Sequence, residues 1–401
     1  MIENVQRIEP TGLDPVTIRV SDTIADLTAA AERLAGALHP RTASSLADLV
    51  RIMNAYYSNL IEGHNTRPRE IERALAGDLA DDESRRKLQI EARAHVRVQA
   101  EVDRLSMGGQ LGEPASPAFA LWLHRSFYSE GPAAMLEVKG RDGPYALRPG
   151  EFRAHPFQDV VVGRLVPPGS ASVAPFMKYF ERCFTLEPMG RAARLIAFAV
   201  AHHRFNYIHP FPDGNGRVSR LMSHAMSHRS GIGAHGLWSI SRGLARGLAD
   251  RTEYKALMDA ADAPRYGDLD GRGDLSLSAL TEFVAWFLEV ALDQVRFMSE
   301  QFDLDNLTRR LRRYVERDDR IRREVADLLV EAAIRGKFER GEARRITGLS
   351  ERSARRAVAE SIELGLLASE TSKGALSLRF PQHLAEDLFP RLFSPEDARA
   401  K

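Results

Sequence analysis

The segment from His209 to Arg220 concentrates side chains that could do chemistry on a phosphate compound. It follows a very apolar predicted helix over 190–207 and runs into a second predicted helix over 218–228, so it forms a loop that feeds a helix N-terminus. Such a terminus offers unpaired N–H groups and the positive end of the helix dipole. Gly214 and Gly216 let the backbone turn with its amides pointing inward. The loop is therefore predicted to bind an anion such as phosphate.

The side chains of this loop divide the work of a group transfer. His209 exchanges a proton near neutral pH, so it could deprotonate an attacking hydroxyl. Asp213 supplies a hard oxygen ligand for Mg²⁺, and Asn215 can donate to a phosphate oxygen. Arg217 and Arg220 are three residues apart, hence on one helical face, and their forked donors can neutralise phosphate oxygens. Together these residue types indicate transfer of a phosphate-containing group.

The whole segment resembles the Fic motif, HPFx(D/E)GNGRxxR, and every specified position is filled. The resemblance implies a nucleotidyltransferase that moves AMP from ATP to a Ser, Thr or Tyr hydroxyl of a target protein. It also implies the roles of the side chains: His209 as general base, Asp213 on Mg²⁺, Gly214, Asn215, Gly216 and Arg217 on the phosphates, and Arg220 on the γ-phosphate. Relatives that transfer a phosphoryl group carry alanine and lysine where this chain has Gly214 and Arg217, which disfavours kinase activity.

Two further features gain meaning from this resemblance. Ser58 and Glu62 are four residues apart and share a helical face ahead of Gly63, and they resemble the family's inhibitory motif (S/T)xxxE(G/N). The resemblance implies that Glu62 pairs with Arg220 and slows transfer, and that it can also serve the reverse removal of AMP. An exposed glutamate at a helix end is the alternative. Tyr254 resembles an element that lines the adenine pocket, and a buried core aromatic explains it equally well.

Helical spacing of apolar residues recurs through most of the chain, so the predicted fold is mainly α. Between 150 and 168 the pattern changes to short apolar runs, 152–154 and 160–165, which predict a β-hairpin. In place, this hairpin corresponds to the flap of the Fic helical bundle, on which a target protein is expected to dock by strand pairing. A surface hairpin without such a contact is the alternative.

The C-terminal part has a different texture, with 16 Lys and Arg against 9 Asp and Glu between 309 and 356. A helix, a turn at Gly348, a helix capped by Ser350 and a two-stranded segment over 366–380 resemble a winged helix-turn-helix domain. Contact with DNA is one expectation for such a module. Packing on another protein, or a homodimer, is an open alternative. A DNA-binding transcriptional regulator with a nucleotide-sensing or inactive Fic core is therefore the second hypothesis.

Length and composition bound the remaining properties. With 401 residues and 44% hydrophobic content, the chain can bury a substantial core in two or three domains. The predicted divisions are an N-terminal helical region over 1–110, a Fic core over 111–302 and the C-terminal module over 303–401. Cys183 is the only cysteine, which excludes an intramolecular disulfide framework. No apolar run approaches the ~20 residues that cross a bilayer, so we expect a cytoplasmic protein without membrane contact.

Overall fold

The computed structural model describes residues 2–140 and 143–393, and helices dominate it, as predicted. The α-helices are α1 (Ile18–Gly36), α2 (Pro40–Ile61), α3 (Pro68–Leu75), α4 (Glu83–Met107), α5 (Pro117–Tyr128), α6 (Val173–Phe184), α7 (Arg191–Ile208), α8 (Asn215–Arg229), α9 (Ile240–Arg246), α10 (Glu253–Ala261), α11 (Leu277–Gln301), α12 (Leu304–Arg317), α13 (Val325–Arg335), α14 (Ala343–Thr347), α15 (Glu351–Glu363) and α16 (Gln382–Leu388). The strands are β1 (Glu137–Gly140), β2 (Gly143–Ala146), β3 (Leu367–Ala368) and β4 (Ser377–Leu378).

Helix α7 forms the centre of the core. From Leu195 onward nearly all of its residues are buried, and it packs against α6, α8 and α11. A helix that is apolar around its whole circumference is stable only when neighbours cover every side. Helix α4 packs against α2, α5 and α8, and α5 also packs against α8, so α4 and α5 both contact the helix that follows the segment between α7 and α8. The core therefore holds both ends of that segment in fixed positions.

The β-hairpin lies earlier in the chain than the sequence pattern predicted. The antiparallel strands are β1 and β2, with Val138 opposite Tyr145, whereas 150–168 contains a short 3-10 turn and a single bridge between Val162 and Leu165. The predicted strands 152–154 and 160–165 are therefore wrong. The valine run looked like a strand, but Gly163 turns the chain at φ 59°, and within the described ranges the run pairs only through the bridge from Val162 to Leu165. Val161 is 69% exposed there.

The C-terminal helices pack on α2 and α3. Helices α13, α14 and α15 pack together, and β3 pairs antiparallel with β4 in the stretch where two strands were expected. Gly348 ends α14 in the left-handed conformation, and Ser350 caps α15 by accepting a bond from Ser353 N. This element order is the one expected of a winged helix-turn-helix domain, while the identity of that domain and the bounds of the three domains stay predictions. Within the described ranges, every helix lacks either the length or the apolar character needed to span a bilayer.

Candidate active site

The loop between α7 and α8 is closed by its own side chains. Both His209 and Gly214 adopt left-handed backbone conformations, with φ values of 49° and 80°. Asn215 bonds the backbone of Phe211 twice, accepting from its N–H at 2.9 Å and donating to its carbonyl at 2.7 Å. The Asn215 amide therefore fixes the loop, in addition to the phosphate contact that the sequence predicted for it. The first backbone N–H groups of α8 have no acceptor within the helix, so they are available to an acceptor group above Gly216.

The His209 imidazole is half-buried and oriented by the end of its own helix. Its Nδ1 lies 3.2 Å from the carbonyl of Asn206, an arrangement in which Nδ1–H donates and Nε2 keeps its lone pair. Burial lowers the pKa of His209 to about 4, in spite of the Asn206 hydrogen bond, and Arg153 adds to the shift. The ring is therefore a neutral proton acceptor over the physiological pH range.

The Arg153 side chain binds the backbone around His209. Its guanidinium is almost fully buried and donates to the carbonyls of Ile208 and His209, at 3.0 and 2.8 Å. It also donates to the carbonyl of Pro168 and pairs with Asp159 at 3.0 Å. One side chain thus joins the segment after β2 to the end of α7. No feature of the sequence distinguished this arginine from the many others in the chain.

Asp213 is the exposed carboxylate of the loop. Its Oδ2 accepts a hydrogen bond of 2.9 Å from the hydroxyl of Tyr128, which is buried at the end of α5. A Cβ on Gly214 would lie 2.8 Å from the same hydroxyl, so the glycine is required for the close approach of Tyr128. Tyr128 therefore orients Asp213, a role that sequence reasoning missed.

Glu62 and Ser58 from α2 reach the second arginine of the loop. Arg220 Nη2 donates to Glu62 Oε1 at 2.6 Å, and Arg220 Nε donates to Ser58 Oγ at 2.9 Å. Burial raises the pKa of Glu62, but Arg220 and Arg217 outweigh burial and leave that pKa below its ordinary value. A Cβ on Gly216 would collide with Glu62 Oε1. The ionised carboxylate therefore lies over the amide turn at the start of α8.

Arg217 and Arg220 both belong to the first turns of α8, but they pair with different carboxylates. Its Nη2 lies 2.5 Å from Glu91 Oε2 on α4, and both side chains are more than nine-tenths buried. Two different helices thus hold the two arginines: α4 through Glu91 and α2 through Glu62. Sequence reasoning did not identify Glu91, because its position in a long charged helix looks like any other.

Tyr254 is 9% exposed and is built into the core near the loop. Its hydroxyl lies 2.8 Å from Nε2 of His202, whose Nδ1 lies 2.9 Å from Ser223 Oγ. Its ring stacks with that of Trp286 at a centroid distance of 6.2 Å. Burial raises the pKa of Tyr254 to about 12, so it stays a neutral hydrogen-bonding group. A role beside adenine stays a prediction for this residue.

This arrangement has a counterpart among known proteins. The sequence profile described as the Fic/DOC family matches residues 116–227, which include the loop, Tyr128 and Arg153. Residues 116–227 form a Fic/DOC family domain. The match ends before Tyr254 and begins after Ser58, Glu62 and Glu91, so the helices that hold the two arginines lie outside it.

Relatives of this Fic domain carry a named activity. The chain is 40% identical over 82 residues to a protein named Protein adenylyltransferase Fic from Drosophila erecta, and 42% identical over 82 residues to one of the same name from Drosophila yakuba. Each match covers 20% of this chain and 16% of the relative. The chain thus spans only about a sixth of the length of these curated relatives.

Solved structures share the fold over a longer stretch. A Fic family protein from Desulfovibrio desulfuricans G20 covers 91% of this chain and 97% of its own, with a TM-score of 0.52 and 16% identity. A Fic domain containing signaling protein from Bacteroides thetaiotaomicron VPI-5482 covers 70% of this chain and 94% of its own, with a TM-score of 0.50 and 17% identity. At such identities the likeness concerns the fold alone.

Proposed function

We propose that this chain is a protein adenylyltransferase that transfers AMP from ATP to a Ser, Thr or Tyr hydroxyl of a target protein. The observation that carries the proposal is the convergence of a neutral, half-buried imidazole, an amide turn and two arginines in the Fic loop, with a carboxylate already lying over the turn. The name of the Drosophila relatives, which match this chain over 82 residues, agrees with it.

The turn at the start of α8 fits a phosphate oxygen because it already accommodates an anionic oxygen. Glu62 Oε1 lies over Gly216, within 2.6 Å of Arg220 Nη2, and so stands in for such an oxygen. Helix N-termini bind anions through unpaired N–H groups and the helix dipole. In the proposed complex, Arg220 binds the terminal phosphate of ATP and Arg217, held by Glu91, lies beside the other phosphates.

Asp213 fits the part of a magnesium ligand. Its carboxylate is exposed, and Tyr128 orients it through one oxygen only. Mg²⁺ bound by one or two carboxylates neutralises phosphate charge and so favours departure of the leaving group. The chain contributes the carboxylate and its orientation, and Asn215 keeps the loop closed so that Asp213 stays at its rim.

His209 performs the proton transfer. Its Nε2 takes the proton of the target hydroxyl while Nδ1–H stays on the carbonyl of Asn206. The hydroxyl oxygen forms a bond to the α-phosphorus, the bond between that phosphorus and the bridging oxygen breaks, and pyrophosphate leaves. Arg153 fixes the backbone of His209 and so keeps Nε2 aimed at the hydroxyl.

Glu62 restrains this reaction in the proposal. While the Glu62 carboxylate binds Arg220, the guanidinium cannot hold the terminal phosphate, so ATP lies in an unproductive position. Ser58 supports the restraint by accepting a bond from Arg220 Nε. The same glutamate could activate a water in the reverse removal of AMP, which we propose as a second use of this carboxylate.

The test is incubation of the purified chain and a target protein with ATP labelled at the α or the γ phosphate. We expect α-label on protein, raised on the order of tenfold or more in Glu62→Gly, because Arg220 is freed. The double variant Glu62→Gly with His209→Ala is the matched control and should transfer no label. Transfer of γ-label would show a kinase, and no transfer from a folded Glu62→Gly protein would contradict the proposal.

The target is proposed to dock on the ribbon formed by β1 and β2, where two strand edges lack a protein partner among the described residues. Tyr145 on this ribbon packs edge to face against Phe157, and Arg153 N donates to the carbonyl of Pro210 in the loop. The ribbon and the loop are therefore joined through 147–158. An extended target segment that adds a strand here would present its hydroxyl beside the loop.

DNA contact by the C-terminal module is a second candidate function, carried by α15. This helix buries Ala354, Ala357 and Val358 and exposes Arg352, Arg355 and Arg356. Anisotropy of labelled duplex DNA at several salt concentrations tests it, and the logarithm of the binding constant should fall linearly with that of salt. Arg352→Gln should weaken binding and lower the slope by about 1, whereas Arg104→Gln on distant α4 should not.

Binding without salt dependence would remove the DNA hypothesis. DNA binding without transfer of either label would favour a regulator with an inactive Fic core.

A further inference from the structure

Two histidines and an aspartate converge at the end of α8 that lies opposite the phosphate loop. His224 and His228 are four residues apart on α8, and Asp103 comes from α4. Asp103 Oδ1 lies 2.6 Å from His224 Nε2 and 2.9 Å from His228 Nε2, and the two nitrogens are 3.2 Å apart. All three side chains are more than nine-tenths buried. The catalytic loop uses none of them.

We infer that Asp103, His224 and His228 form a binding site for a zinc-type divalent ion. Donor atoms separated by about 3 Å can all lie at the ~2.0–2.1 Å from one ion that Zn²⁺ requires of imidazole nitrogen and carboxylate oxygen. Two imidazoles and one carboxylate favour Zn²⁺ or a similar transition metal over Mg²⁺, which prefers oxygen ligands. A pair of histidines at i and i+4 on one helix face is a recurring zinc arrangement. A fourth ligand would be water.

The neighbours of Asp103 orient it as the partners of a metal ligand do. Arg51 Nε donates to Oδ2 of Asp103 at 2.8 Å, which leaves Oδ1 directed at the two imidazoles. Arg51 also pairs with Asp48 at 2.5 Å, so its positive charge is shared between two carboxylates. Arg379 also lies 3.8 Å from Asp48, so Arg51 serves mainly to orient Asp103, as the outer partner of a metal ligand does.

The backbone beyond α8 passes close to two of these side chains, His228 and Asp103. A Cβ on Gly233 would collide with the ring of His228, and one on Gly236 would lie 3.1 Å from Asp103 Oδ2. Between these glycines, Ala234 and His235 both adopt positive φ values, 43° and 56°. Non-glycine residues adopt such values at a cost, and they persist where the surroundings enforce them. This wall encloses the cluster rather than leaving it open to solvent.

Hydrogen bonds alone are the competing explanation, since two Nε2–H groups donating to one carboxylate oxygen give the same distances. A metal site and a purely hydrogen-bonded cluster differ in the number of ions bound per chain and in the visible spectrum with cobalt(II). Neither measurement depends on AMP transfer. A bound ion would join α4 to α8, the helices that carry Glu91 and Arg217. It would therefore stiffen the support of the loop even if the proposed enzymatic activity were wrong.

The experiment uses the full chain, stripped with chelator and dialysed. We expect elemental analysis to find about one zinc per chain after re-addition of Zn²⁺ and desalting. Cobalt(II) at one equivalent should give visible d–d bands of a low-coordinate site. His228→Asn should bind at least ~100-fold more weakly, because loss of even an outer partner costs about 10–100-fold. His235→Asn is the matched control, since His235 is exposed on the adjoining wall and asparagine tolerates its positive φ.

The cobalt titration of the unaltered chain decides the question even if His228→Asn fails to fold. Bands that saturate at one equivalent, survive in His235→Asn and disappear on addition of Zn²⁺ support the site. Absence of bands together with less than about a tenth of a zinc per chain would overturn it. Equal zinc binding by folded His228→Asn and by the unaltered chain would overturn it as well.

Discussion

At the scale of single residues, the protonation state of His209 sets what the site can do. A general base has to be neutral before it can accept a proton, and an ordinary histidine is half charged near pH 6.5. Burial holds the pKa of His209 at about 4, whereas Glu62 and Asp213 act in the opposite direction. An exposed histidine would be protonated at mildly acidic pH and could no longer act as a base, whereas the environment of His209 keeps this ring neutral there.

We predict that kcat/KM for AMP transfer by Glu62→Gly stays nearly constant from pH 7.5 down to about 5, because the free enzyme keeps His209 neutral over this range. Loss of Glu62 removes one of the groups that raise the pKa, so the variant should not titrate higher. An unperturbed imidazole would instead lose about thirtyfold by pH 5. Initial rates at subsaturating ATP measure this, and a halving near pH 6.5 in protein that circular dichroism shows to be folded would contradict it.

At the scale of elements, the backbone between β2 and α6 is held by Arg153 rather than by strand pairing. Its guanidinium joins the carbonyls of Pro168, Ile208 and His209. We predict that Arg153→Met lowers the free energy of unfolding by about 2–4 kcal/mol, since buried carbonyls lose their donors. It should also lower kcat in the Glu62→Gly background, because the His209 backbone is released. Urea denaturation and the α-label assay measure the two effects.

Arg148→Met is the matched control for this prediction. Arg148 lies five residues earlier in the same segment, its side chain is 79% exposed and it pairs only loosely with Glu151, at 3.6 Å. Its removal should change stability by no more than about 0.5 kcal/mol. If Arg153→Met and Arg148→Met unfold at the same urea concentration, Arg153 does not hold the segment together.

The same elements show how far sequence reasoning reached. Helix α7 was predicted to within one residue at each end, because its apolar spacing is regular and its neighbours do not change it. The hairpin was misplaced because a strand depends on its partner. Among the described residues, the valines at 160–162 have high β propensity but pair only through the single bridge from Val162 to Leu165, whereas β1 and β2 contain glycine and proline and pair along their whole length.

The site, like the fold, could be predicted only where the signal is local in the sequence. The residues of the loop follow from a contiguous motif, so their proximity could be predicted from the sequence alone. Tyr128, Arg153 and Glu91 act on the loop from 85, 56 and 126 residues away, and only the packing of the helices brings them there. Such long-range partners leave no local signal in one sequence.

At the scale of the whole molecule, α2 connects the C-terminal module to the loop. Near its first turn, Thr42 donates to the carbonyl of Ala333 at 2.8 Å, and near its last turn Ser58 and Glu62 bind Arg220. Tyr57 also donates to the carbonyl of Leu392 at 3.2 Å. A displacement of α2 would therefore change contacts with both regions at once.

The whole core also carries an acid-sensitive set of buried histidines. Burial lowers the pKa of His124 and His209 to about 4 and that of His202 to about 3. Below pH 6.5 these histidines bind protons in the unfolded chain but not in the folded one. The free energy of unfolding that they contribute above pH 6.5 is therefore lost as the pH falls. At pH 5 each ring costs about 2 kcal/mol. Asp262, whose pKa burial raises to about 7, opposes this by up to about 3 kcal/mol.

We therefore predict that the free energy of unfolding is lower at pH 5 than at pH 7, by about 3 kcal/mol from these four groups together. Urea titrations at both pH values measure it. His124→Gln removes one of the three rings, and glutamine can still accept the bond that His124 Nδ1 takes from Gly150 N at 2.8 Å. This variant should show a smaller loss on acidification, by about 2 kcal/mol. The sign and size of the predicted loss of stability follow from the protons that the folded core excludes. Equal stability at the two pH values, or a loss that His124→Gln leaves unchanged, would therefore mean that other groups govern the acid response.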